Sequence, residues 1–214
     1  MPRRGSGRRP GRPPRTDAGQ RARLLDAAQT LFAREGIAAV SLNRIAREGG
    51  ATPALMHYYF GNRDQLLDVL VSERVLPLLG NLVSQLQASG ASPGKMVPTF
   101  VQVVMSTLSA NPWFPQLWAR EVLAEGGLLR DRLLGNARAF APLISQRFAA
   151  AQQEGHLNPG LDPRLLMVSL IGLTVFPFAA QSIWRTVFAA DDIDTETLIS
   201  HTLALLTRGL EMKP

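Results

Sequence analysis

The chain has 214 residues, 46% of them hydrophobic, which is ample material for a packed core and argues against general disorder. It has no cysteine, so disulfides, thiolate metal sites and cysteine nucleophiles are excluded. The formal charge is +6 and its source is local: Arg3, Arg4, Arg8, Arg9, Arg12 and Arg15 precede the first acid, Asp17, and without them basic and acidic residues balance.

Residues 1–16 are rich in Arg, Pro and Gly and carry little that can be buried, which predicts a disordered basic arm that seeks phosphate. Gly11-Arg12-Pro13 has the flat shape that fits an A·T-rich minor groove with Arg12 inserted. The plainer reading is a tail that adds only non-specific attraction. No apolar stretch of a secretory signal follows the arm, so the expected compartment is the cytoplasm.

Asp17 and Gln20 have capping-box spacing, and Leu24, Ala28, Leu31 and Phe32 then repeat at helical intervals up to Gly36. Ser41 predicts the N-cap of a short second helix carrying Leu42, Ile45 and Ala46, closed at Gly49-Gly50, where positive φ is easily adopted. Thr52-Pro53 reads as N-cap and first residue of a third helix through His57 and Tyr58. Asn62 and Gln65 form another capping-box pair, opening a fourth helix that reaches about residue 75. Beyond it, Ser92-Pro93 and Asn111-Pro112 start helices, and a long one lies between Gly126-Gly127 and Gln153. Asp162-Pro163 opens the next, predicted to run to about Ala190, and the last covers roughly 194–211. No strand-like alternation and no internal repeat occurs. The expected class is all-α, with a basic arm (1–16), a three-helix helix-turn-helix domain (17–66) and a larger helical domain (67–214) for ligand binding and dimerisation.

The segment from Ser41 to Phe60 points most directly to a function. Two short helices joined by a glycine turn meet at a steep angle, so the second can project into a major groove while the first braces it. Small residues at its start, Thr52, Pro53 and Ala54, allow close approach to base edges, with methyl groups for thymine and a hydroxyl from Thr52. His57 and Tyr58, one turn later, can donate to phosphates, and Arg63 adds charge near the same face. The competing reading makes Phe60 and one of the two tyrosines core aromatics.

The run ARLLDAAQTLFAREGIAAVSLNRIAREGGATPALMHYYFGNRDQLL resembles the DNA-binding domain of the tetracycline-repressor (TetR) family of bacterial regulators. The resemblance implies that Ser41 and Arg44 contact DNA from the second helix and that Thr52, Pro53, Ala54, His57 and Tyr58 do so from the third. Arg44 also reads as an ordinary solvated charge. The family often has tyrosine at the place of His57 and lysine at that of Arg63; both substitutes still donate to phosphate, although the planar guanidinium changes the geometry at the second.

Residues 165–184 carry no charge and match the length of a membrane helix. Ser169, Thr174, Gln181 and Ser182, with Pro177, favour burial against a partner subunit instead, so no membrane partner is expected. That helix and the final one, with Leu198, Ile199, Leu203, Leu205, Leu206 and Leu210, are expected to pair with their copies in a homodimer, which is also where the resembling family dimerises. A dimer suits a palindromic operator. A polar row, Thr99, Gln102 and Ser106, followed by Trp113, Phe114, Trp118 and Glu121, suggests a cavity for a small hydrophobic or aromatic ligand. The alternative is that the aromatics are core and the row faces solvent. No cofactor, no metal site and no enzyme is expected, because His57, His156 and His201 are the only histidines and neither a phosphate loop nor an H-E-x-x-H spacing occurs. The expected function is a ligand-responsive repressor; the alternative is a DNA-binding regulator controlled by a protein partner or by abundance.

Overall fold

The structure, a computed structural model, describes residues 17–88 and 95–210. The basic arm with Arg12, and the Ser92-Pro93 helix start, lie outside the described residues. Every regular element among the described residues is helical, as expected from the absence of strand periodicity. In order they are α1 (Asp17–Glu35), α2 (Leu42–Glu48), α3 (Pro53–Phe60), α4 (Arg63–Leu70), a π-helical turn (Val71–Val75), α5 (Leu76–Ala88), α6 (Met96–Ala110) and α7 (Trp113–Trp118). A second π-helical turn (Ala119–Leu123), α8 (Arg130–Gln153), α9 (Pro163–Ala179), α10 (Gln181–Phe188) and α11 (Thr195–Leu210) complete the chain.

One hydrophobic core runs from the N-terminal helices into the C-terminal body. Leu24, Leu25, Ala28, Leu31 and Phe32 of α1 pack with Ile45, Met56 and Phe60, and Leu66, Leu67 and Leu70 of α4 lead through Val71 and Val75 to the residues of α6 and α9. The helix that crosses residue 66 therefore belongs to both halves. It is longer than its expected end near residue 75, because α4, the π-turn and α5 form one run to Ala88. Pro77 falls just past the wider turn, where its missing N–H and its ring are tolerated. Two ion pairs fasten this turn to α1: Arg21 holds Glu73 through both guanidinium nitrogens at 2.8 and 2.6 Å, and Arg74 holds Asp26 at 2.8 Å.

Gln20, expected in a capping box with Asp17, reaches beyond α1. Its Nε2 donates to the carbonyl of Gly49 at 3.0 Å, tying α1 to the turn between α2 and α3, and its Oε1 accepts from Arg23 of the same helix. At that turn the left-handed residue is Gly50, with φ +66°, and the amides of Gly50 and Ala51 close on the carbonyls of Arg47 and Ala46 at 3.1 and 2.8 Å. This is the paired bonding of a Schellman motif. Gly49 is needed for a different reason. A Cβ there would lie 2.7 Å from Leu24 Cδ2 and 3.3 Å from Leu24 Cα, inside the packed core. Gly49→Ala is expected to lower stability by about 1–2 kcal/mol, measured by urea unfolding; an unchanged midpoint would show that the turn is free to move.

The apolar run expected to continue to Ala190 is broken. α9 and α10 meet at Ala180 with a bend of 73°, and among the described residues no single helix is long and apolar enough to cross a membrane. Pro177 sits inside α9, where it withdraws one helical N–H and crowds the preceding turn. The Trp184 indole nitrogen donates to the Pro177 carbonyl at 2.7 Å, and Arg185 donates to the carbonyls of Asp191 and Ile193 at 3.0 and 2.5 Å. These bonds pin α10 in its new direction.

Candidate nucleic-acid interface

Local chemistry starts each of the three helices around the reading head. Ser41 Oγ accepts from the Arg44 amide at 3.2 Å, Thr52 Oγ1 from the Leu55 amide at 3.3 Å, and Asn62 with Gln65 forms a reciprocal capping box. Pro53 at the first turn of α3 sacrifices no hydrogen bond. Ile45 and Ala46 of α2 and Met56 and Phe60 of α3 are buried, which fixes which faces turn outward.

What remains outside is one contiguous face. Thr52, Pro53, Ala54, His57 and Tyr58 are all exposed, with Tyr58 at 74%. Ser41 is exposed at the head of α2. Tyr59 is half-buried between Tyr58 and Phe60 in edge-to-face pairs at 5.3 and 6.2 Å, and the Arg21 guanidinium covers the Phe60 ring at 5.2 Å. Of the aromatic cluster, Phe60 is thus core and Tyr58 surface. Asn43 and Arg47, exposed one turn apart on α2, were not singled out from the sequence. Their signal was available, since they sit opposite the buried pair Ile45 and Ala46 at helical spacing.

Two expected DNA contacts are engaged inside the protein. The Arg44 guanidinium grips both oxygens of Glu35, at 2.8 and 2.5 Å, and is 39% exposed. A hydrogen bond from Arg34, joined by the charge of Arg44, holds the Glu35 carboxyl below the usual carboxylate range. Arg63 departs further from expectation. Its two terminal nitrogens donate to the carbonyls of Ile37 and Val40, at 3.1 and 2.7 Å, so its fork braces the connection between α1 and α2. Within the chain the planar guanidinium satisfies two backbone carbonyls at once.

The expected ligand residues are not brought together. On α6, Gln102 and Ser106 are exposed and Thr99 is half-buried, so the polar row turns toward solvent and not toward the aromatics. Phe114 is buried in the core with Trp113 edge-on at 5.6 Å, and Trp118 is half-buried against the same cluster. Glu121 lies in the second π-turn at 6% exposure, and both its oxygens are used: Oε1 accepts from the Ile37 amide at 2.8 Å and Oε2 from the Leu128 amide at 3.1 Å. It is a joint between the C-terminal body and the reading head. Next to it, Arg132 of α8 donates to Asp68 and Asp64 of α4, at 2.8 and 3.3 Å, and to the Leu128 carbonyl at 2.9 Å. Among the described residues no cluster of three or more metal-ligating side chains occurs.

Comparison with known proteins places this geometry. Residues 24–70 match the family described as bacterial regulatory proteins, tetR family, and residues 93–206 match the tetracyclin repressor-like C-terminal domain. The HTH-type transcriptional regulator BetI of Rhizobium meliloti (strain 1021) is 34% identical over 136 residues, 58% of this chain and 66% of that protein. SrpR of Pseudomonas putida, also an HTH-type transcriptional regulator, is 27% identical over 142 residues, 66% of this chain and 65% of that protein. The aligned region thus spans just under two thirds of each of these relatives. Among solved structures, the ketosteroid transcriptional regulator KstR2 of Mycobacterium tuberculosis superposes with a TM-score of 0.72 at 16% identity, covering 91% of this chain and 96% of that one. It shares the fold.

Proposed function

The chain belongs to the tetR family of bacterial regulatory proteins, and we propose that within it the chain is a ligand-responsive repressor that binds a palindromic operator as a homodimer. The observation that carries the DNA-binding part is the outward face of α3. Its start is built of small side chains, its inner side is closed by Met56 and Phe60, and caps hold it at both neighbouring turns. Such a helix end approaches base edges in the major groove, with Thr52, Pro53 and Ala54 reading and His57, Tyr58 and Ser41 holding the backbone. Arg47 and Asn43 extend the same surface. Arg12, in the basic arm, adds affinity by neutralising phosphate. The reading is tested by selecting bound fragments from random DNA with the full chain. A palindromic site, lost on Tyr58→Ala without any change in melting temperature, is expected; equal binding to every sequence would sink it.

Dimerisation is assigned to residues 67–214, through α9 and α11. Leu165, Val168, Gly172 and Phe176 are exposed along α9 at helical spacing, with Phe176 at 66%, and Leu205 is exposed on α11. A stripe of this kind on a bacterial regulator is supported as a two-fold contact, since it pairs with its own copy. Phe176→Glu is expected to give a monomer in analytical ultracentrifugation, with operator affinity reduced at least tenfold because only one half-site is then held. A dimer that survives this charge would place the contact elsewhere.

A ligand that shifts the dimer between two head spacings gives the repressor its switch. The chemistry of such a ligand is hydrophobic or aromatic, in keeping with the apolar interior of the C-terminal helices, and the compartment is the cytoplasm. A second reading, control by a protein partner or by abundance, is favoured by one observation: Gln102, Ser106 and Glu121 face solvent or internal amides. Release of the selected operator by small aromatic compounds decides between them.

A further inference from the structure

We propose that His57 meets DNA only as an imidazolium, so that operator binding takes up a proton at each reading head; the proposal rests on the DNA-binding reading above. His57 Nδ1 lies 2.7 Å from the carbonyl oxygen of Gly61. A carbonyl oxygen only accepts, so Nδ1 carries the proton of the neutral ring. The Gly61 amide in turn donates to the His57 carbonyl at 2.9 Å, which closes a two-way link between the side chain and the end of its own helix. With Nδ1 committed, the outward nitrogen of the neutral ring, Nε2, has a lone pair and no hydrogen.

His57 is exposed in the last turn of α3, while the small residues that approach base edges stand at its first. A helix docked by its N-terminal end leaves the groove toward its other end, where the neighbouring DNA group is phosphate. A phosphate oxygen offers only lone pairs. Two acceptors repel, so the Nδ1–H tautomer makes no bond there, and the other neutral tautomer reaches phosphate only by giving up the bond to Gly61. A second proton on Nε2 converts the pair into a charge-assisted hydrogen bond. The ring thus changes from excluded to attractive on protonation, with no rearrangement of the backbone.

The charged and titratable groups on the elements packed against α3 do not replace this response. On α1, Arg21 lies over Phe60 and is paired with Glu73; on α2 they are Arg44, paired with Glu35, and Arg47 and Glu48; on α4 they are Arg63, bound to carbonyls, and Asp64 and Asp68, both held by Arg132. Tyr58 is the neighbouring titratable group on α3 itself. Of these, only the imidazole belongs to a type whose charge changes between about pH 5 and 8.

The test uses the full chain and its selected operator at fixed ionic strength, with Kd read by fluorescence anisotropy from about pH 6 to pH 8. Proton uptake on binding gives a limiting loss of about tenfold per pH unit for each ring, so the wild type is expected to weaken at least about tenfold across the range. His57→Tyr presents a hydroxyl donor that does not titrate there and is expected to bind with a flat profile, as is His57→Gln. Thermal melts confirm that both variants fold, since the side chain is exposed. Specific binding that is flat with pH in the wild type, or equally sloped in His57→Tyr, overturns the proposal and leaves the DNA-binding reading standing. Loss of sequence preference at every pH overturns that reading instead.

Discussion

Glu121→Ala is expected to cost about 3 kcal/mol of unfolding free energy, the largest loss from any single substitution considered. The carboxylate is buried, and its removal strands two amides, those of Ile37 and Leu128, that it now satisfies at 2.8 and 3.1 Å. Ile37 is completely buried, so water has no route to its N–H without opening the connection between α1 and α2. Glu121→Gln keeps one acceptor and turns an NH2 group toward the other amide, so it is expected to lose about half as much. Urea unfolding with an unchanged m-value checks both. A cost below about 1 kcal/mol for the alanine variant would mean that the joint relaxes and is not a fixed link.

Arg63→Ala is expected to remove about 2 kcal/mol, by taking the side-chain donor from the Val40 carbonyl and leaving the Ile37 carbonyl only the long 3.4 Å bond from the Val40 amide. Arg63→Lys should restore part of this, because an ammonium reaches one carbonyl well and cannot present a parallel fork. The outcome separates two roles. If Arg63 instead neutralised phosphate, its loss would leave the melting temperature unchanged and reduce the salt slope of DNA binding by about one unit per head. The two peptide groups flanking the Ile37 Cα are each held, the Ile37 N–H by Glu121 and the Ile37 C=O by Arg63. The alanine variants are therefore expected to be less than additive in combination.

These two residues also mark where reading the sequence stopped. Ser41, Thr52 and the pair Asn62 and Gln65 were legible because a cap acts on amides two or three residues away, and the structure has those bonds. The inward faces of α1 to α4 were legible from helical spacing, and Phe60 settled into the core as one of its two readings allowed. The internal bonds of Glu121 and Arg63 were not legible because their partners lie far along the chain, and an acid beside aromatics or an arginine at a helix start looks the same in sequence whether it turns in or out. The bond from Gln20 to the Gly49 carbonyl was hidden for the same reason. The bend at Ala180 is a matter of degree. Pro177 was visible, but a proline inside a helix specifies a weak point and not an angle.

The π-turn at Val71–Val75 constrains the chain in a way that surface loops do not. It changes the angular phase between α4, which carries Leu66, Leu67 and Leu70, and α5, which carries Leu82, while its own Glu73 and Arg74 clamp α1 from consecutive positions. Deleting one residue from the regular α-helix that follows it, ahead of Leu82, would rotate everything downstream by about 100°. Leu82 would swing off the core, and the C-terminal body would turn as a unit against the reading head. Residue count along this helix therefore acts as a phase lock, in addition to what Val71, Val75, Glu73 and Arg74 contribute through their own contacts.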